Sequence, residues 1–406
     1  MNARTGATGT MNSRFDERYL VVAGACLTQF MVIGVLFAYG LFFKELEAEF
    51  GWSRTLLSGC LSVAFLVMGV LAVVGGRLSD QFGPGRVLGV TGLLYGVGYL
   101  LLAGINEPWQ LFVLYGLFVG VGMSTHDVVT LSTVARWFDK RRGMMTGIAK
   151  VGTAGGQVLV PPIAAFLIVG FGWRPALAVL GVACAVVLVA AAALMRKPPD
   201  TDTSSPGGAT QDVSFDAARR TRLFWTLCAI QFLFFPSLVT IPIHIVVHGM
   251  DMGMTATRAA ILVSVIGGCS VAGRLIVGAF VDRIGGKGAL LLCLVPLIAS
   301  LTGFLLVETV SLLFATAVLY GFAHGGLFTV VAPTIAQYFG TRALGTLFGA
   351  IVFFGTLGGA LGPVMAGWVF DMAKSYDLAF GMLATLAAVA LLLAMSLPSR
   401  AKPIHP

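Results

Sequence analysis

Six side chains that carry or can acquire charge lie deep inside long apolar runs: His126, Asp127, Lys150, His244, Arg274 and His324. A charged group at the centre of a bilayer costs about 2.5–3.5 kcal/mol on insertion scales, so each such position calls for a partner or a task. Arg274 sits in SVIGGCSVAGRLIVGAF, a run with no Asp or Glu to pair with it. It precedes Asp282 by 8 residues, which on a helix puts it about 12 Å from the following loop. A guanidinium held there without a local partner is a preformed site for one carboxylate, gripped through two parallel N–H bonds. The competing reading is an arginine snorkelling to the membrane surface. Asp127 is the one carboxylate inside any of these runs, and Lys150 follows Arg142 by 8 residues, so the two could meet at similar depth on neighbouring helices. Either they form a structural ion pair, or Asp127 and the adjacent His126 carry a proton.

The remaining candidates are neutral. His244 and His324 can donate to a carboxylate or hydroxyl and can titrate near pH 7; a hydrogen-bonded packing histidine is the alternative. Gln29, Tyr39 and Tyr320 are polar groups in apolar surroundings that could complete a binding site, and interhelical bonding is the competing role for the glutamine. Cys26, Cys60, Cys184, Cys228, Cys269 and Cys293 fall in apolar runs without metal-ligand spacing, so packing is their expected role and neither metal nor cofactor is expected.

The elements that must position these groups follow from composition. Of 406 residues, 57% are hydrophobic and 11% charged, where a soluble domain carries about 25% charged residues. Mean hydropathy is +0.92. Such a chain cannot cover itself for water, which excludes a soluble enzyme, a nucleic-acid binder and a secreted disulfide scaffold. The first 18 residues are polar and lack a cleavage-site pattern, so the first apolar run is expected to be an uncleaved span. Runs of about 20 apolar residues predict twelve membrane helices, at 19–43, 55–78, 86–104, 109–134, 144–169, 174–195, 222–248, 257–281, 288–306, 309–336, 345–369 and 378–397. The polar, Pro/Ser/Asp-rich stretch 196–221 divides them six and six.

Orientation follows from the basic residues. With the first residue on the cytoplasmic side, 19 of the 26 Lys and Arg fall in cytoplasmic segments and 5 in the opposite loops (Lys44, Arg54, Arg174, Arg258 and Lys374). That asymmetry predicts both termini inside, in a multi-pass protein of the cell (inner) membrane. It also gives the net charge of +8 a topological origin. Shifting the sequence by 202 positions superimposes Cys26, Gln29 and Phe30 on Cys228, Gln231 and Phe232, Gly76, Asp80 and Gly83 on Gly278, Asp282 and Gly285, and Gly156 and Pro161 on Gly358 and Pro363. Six spans separate the copies, so this is a parallel repeat, which predicts a cavity between the halves at mid-membrane.

The matched loops GRLSDQFGPGR (Gly76 to Arg86) and GAFVDRIGGK (Gly278 to Lys287) resemble the signature loops of the major facilitator superfamily, with Gln81 where that family usually has a basic residue. The resemblance implies that Asp80, Arg86, Asp282 and Arg283 act as gating charges at helix ends, beside a plain capping role. WFDKRRGMMTGIAKVG (Trp137 to Gly152) is similar to the fifth-span signature of the monocarboxylate transporter family, and YGLFFKELEAEFGWSR (Tyr39 to Arg54) to the end of its first span. HIVVHGMDMGMT, from His244, resembles the seventh span of bacterial relatives that include oxalate–formate exchangers. The similarity covers most of the chain and implies alternating-access transport of short monocarboxylates such as lactate, pyruvate or acetate, usually with a proton. It further implies that Arg274 binds the carboxylate and that spans seven and ten, with His244 and His324, line the cavity.

Three departures narrow this. The family's proton-linked aspartate one turn before the arginine is Ser270; the first-span lysine of animal members is Phe37; the eleventh-span lysine of oxalate exchangers has no counterpart between Gly345 and Phe370. One arginine neutralises one carboxylate, which disfavours a dicarboxylate. The expected molecule is therefore an all-α membrane protein with twelve transmembrane helices in two six-helix bundles, 1–195 and 222–406, joined by a cytoplasmic linker, 196–221. It is expected to act as a monomer, with Asp127, His126 and Lys150 as the proton-coupling groups, a small monocarboxylate and a proton as partners, and no nucleic acid. An organic anion exchanger of the oxalate/formate type is the alternative. A membrane acyltransferase using His126 and Asp127 as base lacks a nucleophile constellation and leaves the repeat without a role.

Overall fold

A computed structural model describes residues 9–138, 142–197, 213–340 and 343–399. Most of the linker (198–212), the basic stretch Asp139, Lys140 and Arg141, and Arg342, Arg400 and Lys402 lie outside the described residues. Twelve helices long and apolar enough to cross a membrane are described. They are α1 (Gly9–Phe50), α2 (Arg54–Phe82), α3 (Pro84–Leu102), α4 (Pro108–Trp137), α5 (Arg142–Phe171), α6 (Trp173–Leu194), α7 (Arg222–Asp251), α8 (Ala256–Val281), α9 (Arg283–Leu305), α10 (Val310–Phe339), α11 (Leu344–Ala373) and α12 (Asp377–Ser396). Every backbone polar group in hydrocarbon must find an internal partner, and helices satisfy that within each segment.

Sequence chemistry sets the boundaries. Ser53, Thr221, Thr255 and Thr309 cap α2, α7, α8 and α10 by accepting from the backbone N–H three residues on. Gly83 (φ 89°) makes the turn between α2 and α3, and Gly285 (φ 73°), one repeat later, kinks the chain in the first turn of α9, both in a backbone region closed to most side chains. Several helices run past their apolar cores, and at the end opposite the linker α1 extends from the expected 43 to Phe50 and α7 from 248 to Asp251. Their added turns carry Lys44, Glu47 and Asp251, which pair with one another and with Arg54 instead of ending in water.

The span expected at 109–134 is irregular. α4 has a π-helical stretch over Phe112–Val119 and a turn over 124–127, restarting at Val128. Gly120 and Gly122 sit tightly against Ala64 and Tyr95 just before the break. His126 and Asp127 thus stand at a helix interruption, where backbone groups and side chains are free to face a cavity.

The two six-helix bundles repeat one packing scheme. α1 lies on α5 and α3 on α6 in the first; α7 lies on α11 and α9 on α12 in the second. A Cβ on Gly156 would strike the Phe30 carbonyl, and a Cβ on Gly358 would strike the Phe232 carbonyl, so the same close helix crossing recurs at the 202-residue offset. The bundles meet along two related seams, α2 with α11 and α5 with α8. Ser62 donates to the Ala360 carbonyl in one. In the other, Ser264 donates to the Val158 carbonyl (2.7 Å), which is free because Pro162 has no N–H to offer it.

Candidate functional site

The α5–α8 seam holds the sharpest candidate. Arg274 Nη1 donates to the Lys150 carbonyl across it (2.7 Å), and the guanidinium carbon lies 5.9 Å from the centre of the Phe328 ring. Its Nε is buried without a partner, and among the described residues no carboxylate bonds to it. The side chain is turned inward, which removes the snorkelling alternative. His324 on α10 is fully buried, ringed by Phe37 (6.2 Å), Tyr320 (5.6 Å) and Phe328 (5.1 Å). Among the described residues neither of its ring nitrogens has a hydrogen-bond partner. The Leu238 carbonyl, released by Pro242, approaches the ring without reaching hydrogen-bond geometry. Buried polar atoms without partners are few in folded proteins, and each marks a place where a guest or water completes the bonding.

Next to Arg274, on the other bundle, Asp127 is densely engaged. Its Oδ1 accepts from Lys150 Nζ (2.6 Å) and Gln29 Nε2 (2.6 Å), with His126 Nε2 at 3.7 Å. Gln29 also donates to the His126 carbonyl, and its own oxygen accepts from Thr153. α1, α4 and α5 are thereby tied at one depth. The cluster is not sealed: the Asp127 side chain keeps 43% of its surface and that of Lys150 26%. One residue joins the two assemblies, since Lys150 holds Asp127 through its ammonium and Arg274 through its carbonyl.

At the end of the bundle opposite the linker, a charged lock closes the gap between the halves. Arg54, only 2% exposed, donates to both oxygens of Asp251 on α7 (2.7 and 3.0 Å), to Glu47 (2.9 Å) and to the Tyr376 hydroxyl (2.8 Å), and its guanidinium covers the Phe370 ring at 3.5 Å. Asp371 of α11 accepts from the backbone N–H groups of Arg54 and Thr55, capping α2 across the seam. Burial pushes the Tyr376 phenol up, so it stays protonated. Its oxygen accepts from Arg54, so its one proton goes to His244 Nδ1 (2.9 Å), leaving His244 Nε2–H to donate to Ser58 (3.3 Å). His244 therefore belongs to this lock and not to the Arg274–His324 cluster.

Two other candidates are likewise occupied. The Tyr39 hydroxyl donates to the Leu57 carbonyl (2.9 Å), and the Tyr320 hydroxyl to the Ser237 carbonyl (2.8 Å), although its ring still flanks His324. The lock itself is not legible in the sequence. Arg54, Lys44 and Asp251 lie at the ends of apolar runs, where charge is ordinary, and only their pairing across the bundles sets them apart.

The model of the family described as Major Facilitator Superfamily matches residues 25–311 and 251–406. The chain belongs to that superfamily. It is a membrane transporter, not an enzyme. Among its relatives it is 29% identical to monocarboxylate transporter 13 of Rattus norvegicus, over 89% of this chain and 84% of that protein. It is 25% identical to monocarboxylate transporter 11 of Homo sapiens, over 89% and 79%. It is 24% identical to an uncharacterized MFS-type transporter, YhjX, of Escherichia coli, over 82% and 84%. A D-xylose–proton symporter of known structure has the same fold, with TM-score 0.73 at 15% identity over 93% of this chain and 97% of that one.

In this major facilitator protein the two signature loops differ in what is described. Asp80 pairs with Arg136 of α4 (2.8 Å), both side chains well exposed, while Arg86 and Arg283 are exposed; the side chain of Asp282 lies outside those described.

Proposed function

We propose that this transporter carries short monocarboxylates of the lactate and pyruvate kind by proton-coupled symport, with the substrate carboxylate bound by Arg274. The observation that carries this reading is a half-buried arginine between the bundles, bonded among the described residues to one backbone carbonyl and to no acid, with its buried Nε unpartnered. His324 beside it offers a second unpartnered group. The relatives named monocarboxylate transporters support the substrate class.

The lock at Arg54 shuts the end opposite the linker, so a substrate enters from the linker end, which the basic residues assign to the cytoplasm of the cell membrane. Residues 1–195 and 222–406 then rock as two bodies about the site, with 196–221 as the connecting linker. Asp127 is the proton carrier in place of the family aspartate replaced by Ser270. Protonating it releases the Lys150 ammonium, and movement of Lys150 shifts the carbonyl that holds Arg274. Uptake of labelled lactate into proteoliposomes, with and without an imposed pH gradient, tests the reading. Accumulation driven by the gradient is expected; uptake that requires preloaded lactate favours the exchanger, and no uptake of any short acid refutes both.

A further inference from the structure

Gln157, on α5, is fully buried, and among the described residues neither its amide oxygen nor its amide nitrogen has a hydrogen-bond partner. Gln29, also buried, has both ends of its amide bonded. A bare buried carboxamide is unfavourable; next to it in sequence, the Val158 carbonyl, freed by Pro162, takes a bond from Ser264, whereas the guanidinium further along the seam is, like Gln157, left with an unpartnered donor.

Its position is defined by the antiparallel register of α5 and α8. Lys150 meets Arg274, Gln157 stands against Gly267, and Val158 meets Ser264. Gly321 and Gly325 of α10 press on Ile266 and Ser270 of α8, which sets His324 between the levels of Gln157 and Arg274. Seven residues of helix separate Lys150 from Gln157, about 10 Å along the axis. A helical side chain leans toward its own N-terminus, so the Gln157 amide leans toward Lys150, whereas the Lys150 carbonyl and the guanidinium on it point toward Gln157. Guanidinium and amide therefore lie on one face of α5, separated along the axis by less than that roughly 10 Å. A short acid with a polar group on the carbon next to its carboxylate is of the size to touch both.

We propose that Gln157 is the specificity-determining residue for the far end of the substrate, selecting 2-hydroxy and 2-oxo monocarboxylates over the unsubstituted acid of equal length. This rests on the reading of Arg274 as the partner of the carboxylate. The amide oxygen accepts from a hydroxyl and the amide nitrogen donates to a keto oxygen; a methylene in that place leaves both bare. Sites built to hydrogen-bond a substrate oxygen reject the analogue that lacks it.

The test is equilibrium binding of lactate, pyruvate and propionate to the purified full chain in nanodiscs, for the native protein and for Gln157→Met and Gln157→Leu. The native protein is expected to prefer lactate and pyruvate over propionate by at least about tenfold, and both variants to bring that ratio within about twofold of one. Gln157→Met nearly conserves volume, so it reports on the site even where the leucine variant fails to fold. Equal binding of propionate and lactate by the native protein overturns the proposal, as does an unchanged preference in the methionine variant. Absence of binding by all three acids overturns the monocarboxylate reading and this inference with it, whereas propionate binding as tight as that of lactate overturns the inference alone.

Discussion

Asp251→Asn is expected to open the end of the molecule opposite the linker without unfolding either bundle. Asp251 accepts from Arg54 at 2.7 and 3.0 Å and from Lys44 at 2.7 Å, and it belongs to the second bundle whereas both partners belong to the first. The energy therefore counts only while that end is shut. Removing one partner of a buried ion pair costs about 3–5 kcal/mol. Here the Asp251 side chain is 26% exposed and Glu47 still holds Arg54, so about 2 kcal/mol is the fair figure. At 1.4 kcal/mol per factor of ten, that raises the open-to-shut ratio about 30-fold. Spin labels at the exposed positions Glu107 and Glu308, in a cysteine-free background, report the distance between the bundles at that end by electron–electron resonance. A longer-distance population that grows in the variant is expected. Identical distributions in variant and native protein would show that Arg54 and Asp251 are a surface pair and not a lock.

Two further outcomes are expected. Asp127→Asn should impair pH-driven uptake in proteoliposomes more than counterflow exchange; equal loss in both assays would reduce Asp127, Lys150 and Gln29 to a structural tie. Gly156→Ala and Gly358→Ala should each lower stability by about 1–3 kcal/mol, because the new methyl meets a backbone carbonyl of the facing helix, while Gly147→Ala and Gly349→Ala, with open space at the same point, should leave the thermal midpoint in nanodiscs unchanged.

What the sequence discloses, and where it stops, has a physical pattern. Long apolar runs report transfer into lipid, so the spans, the repeat and the depth of Arg274 are legible: each is a property of local composition or of spacing along one chain. Which buried polar atom finds a partner is a property of two helices at once. Tyr39 and His244 look like cavity groups in isolation, yet Leu57 and Tyr376 occupy them. Gln157 is unremarkable in sequence and is bare in the fold. The interruption of α4 beside Asp127 had a signal in the run GVGMSTHD, since glycine and hydroxyl side chains weaken a helix, but hydropathy averages over it.

Calorimetric titration of lactate into the purified transporter and its Arg274→Ala variant bears most directly on the central claim. Saturable one-site binding to the native protein, lost in the variant while its thermal midpoint stays within a few degrees, is the predicted result. Lactate binding of equal strength to both would contradict it, because the carboxylate would then be held by some other group.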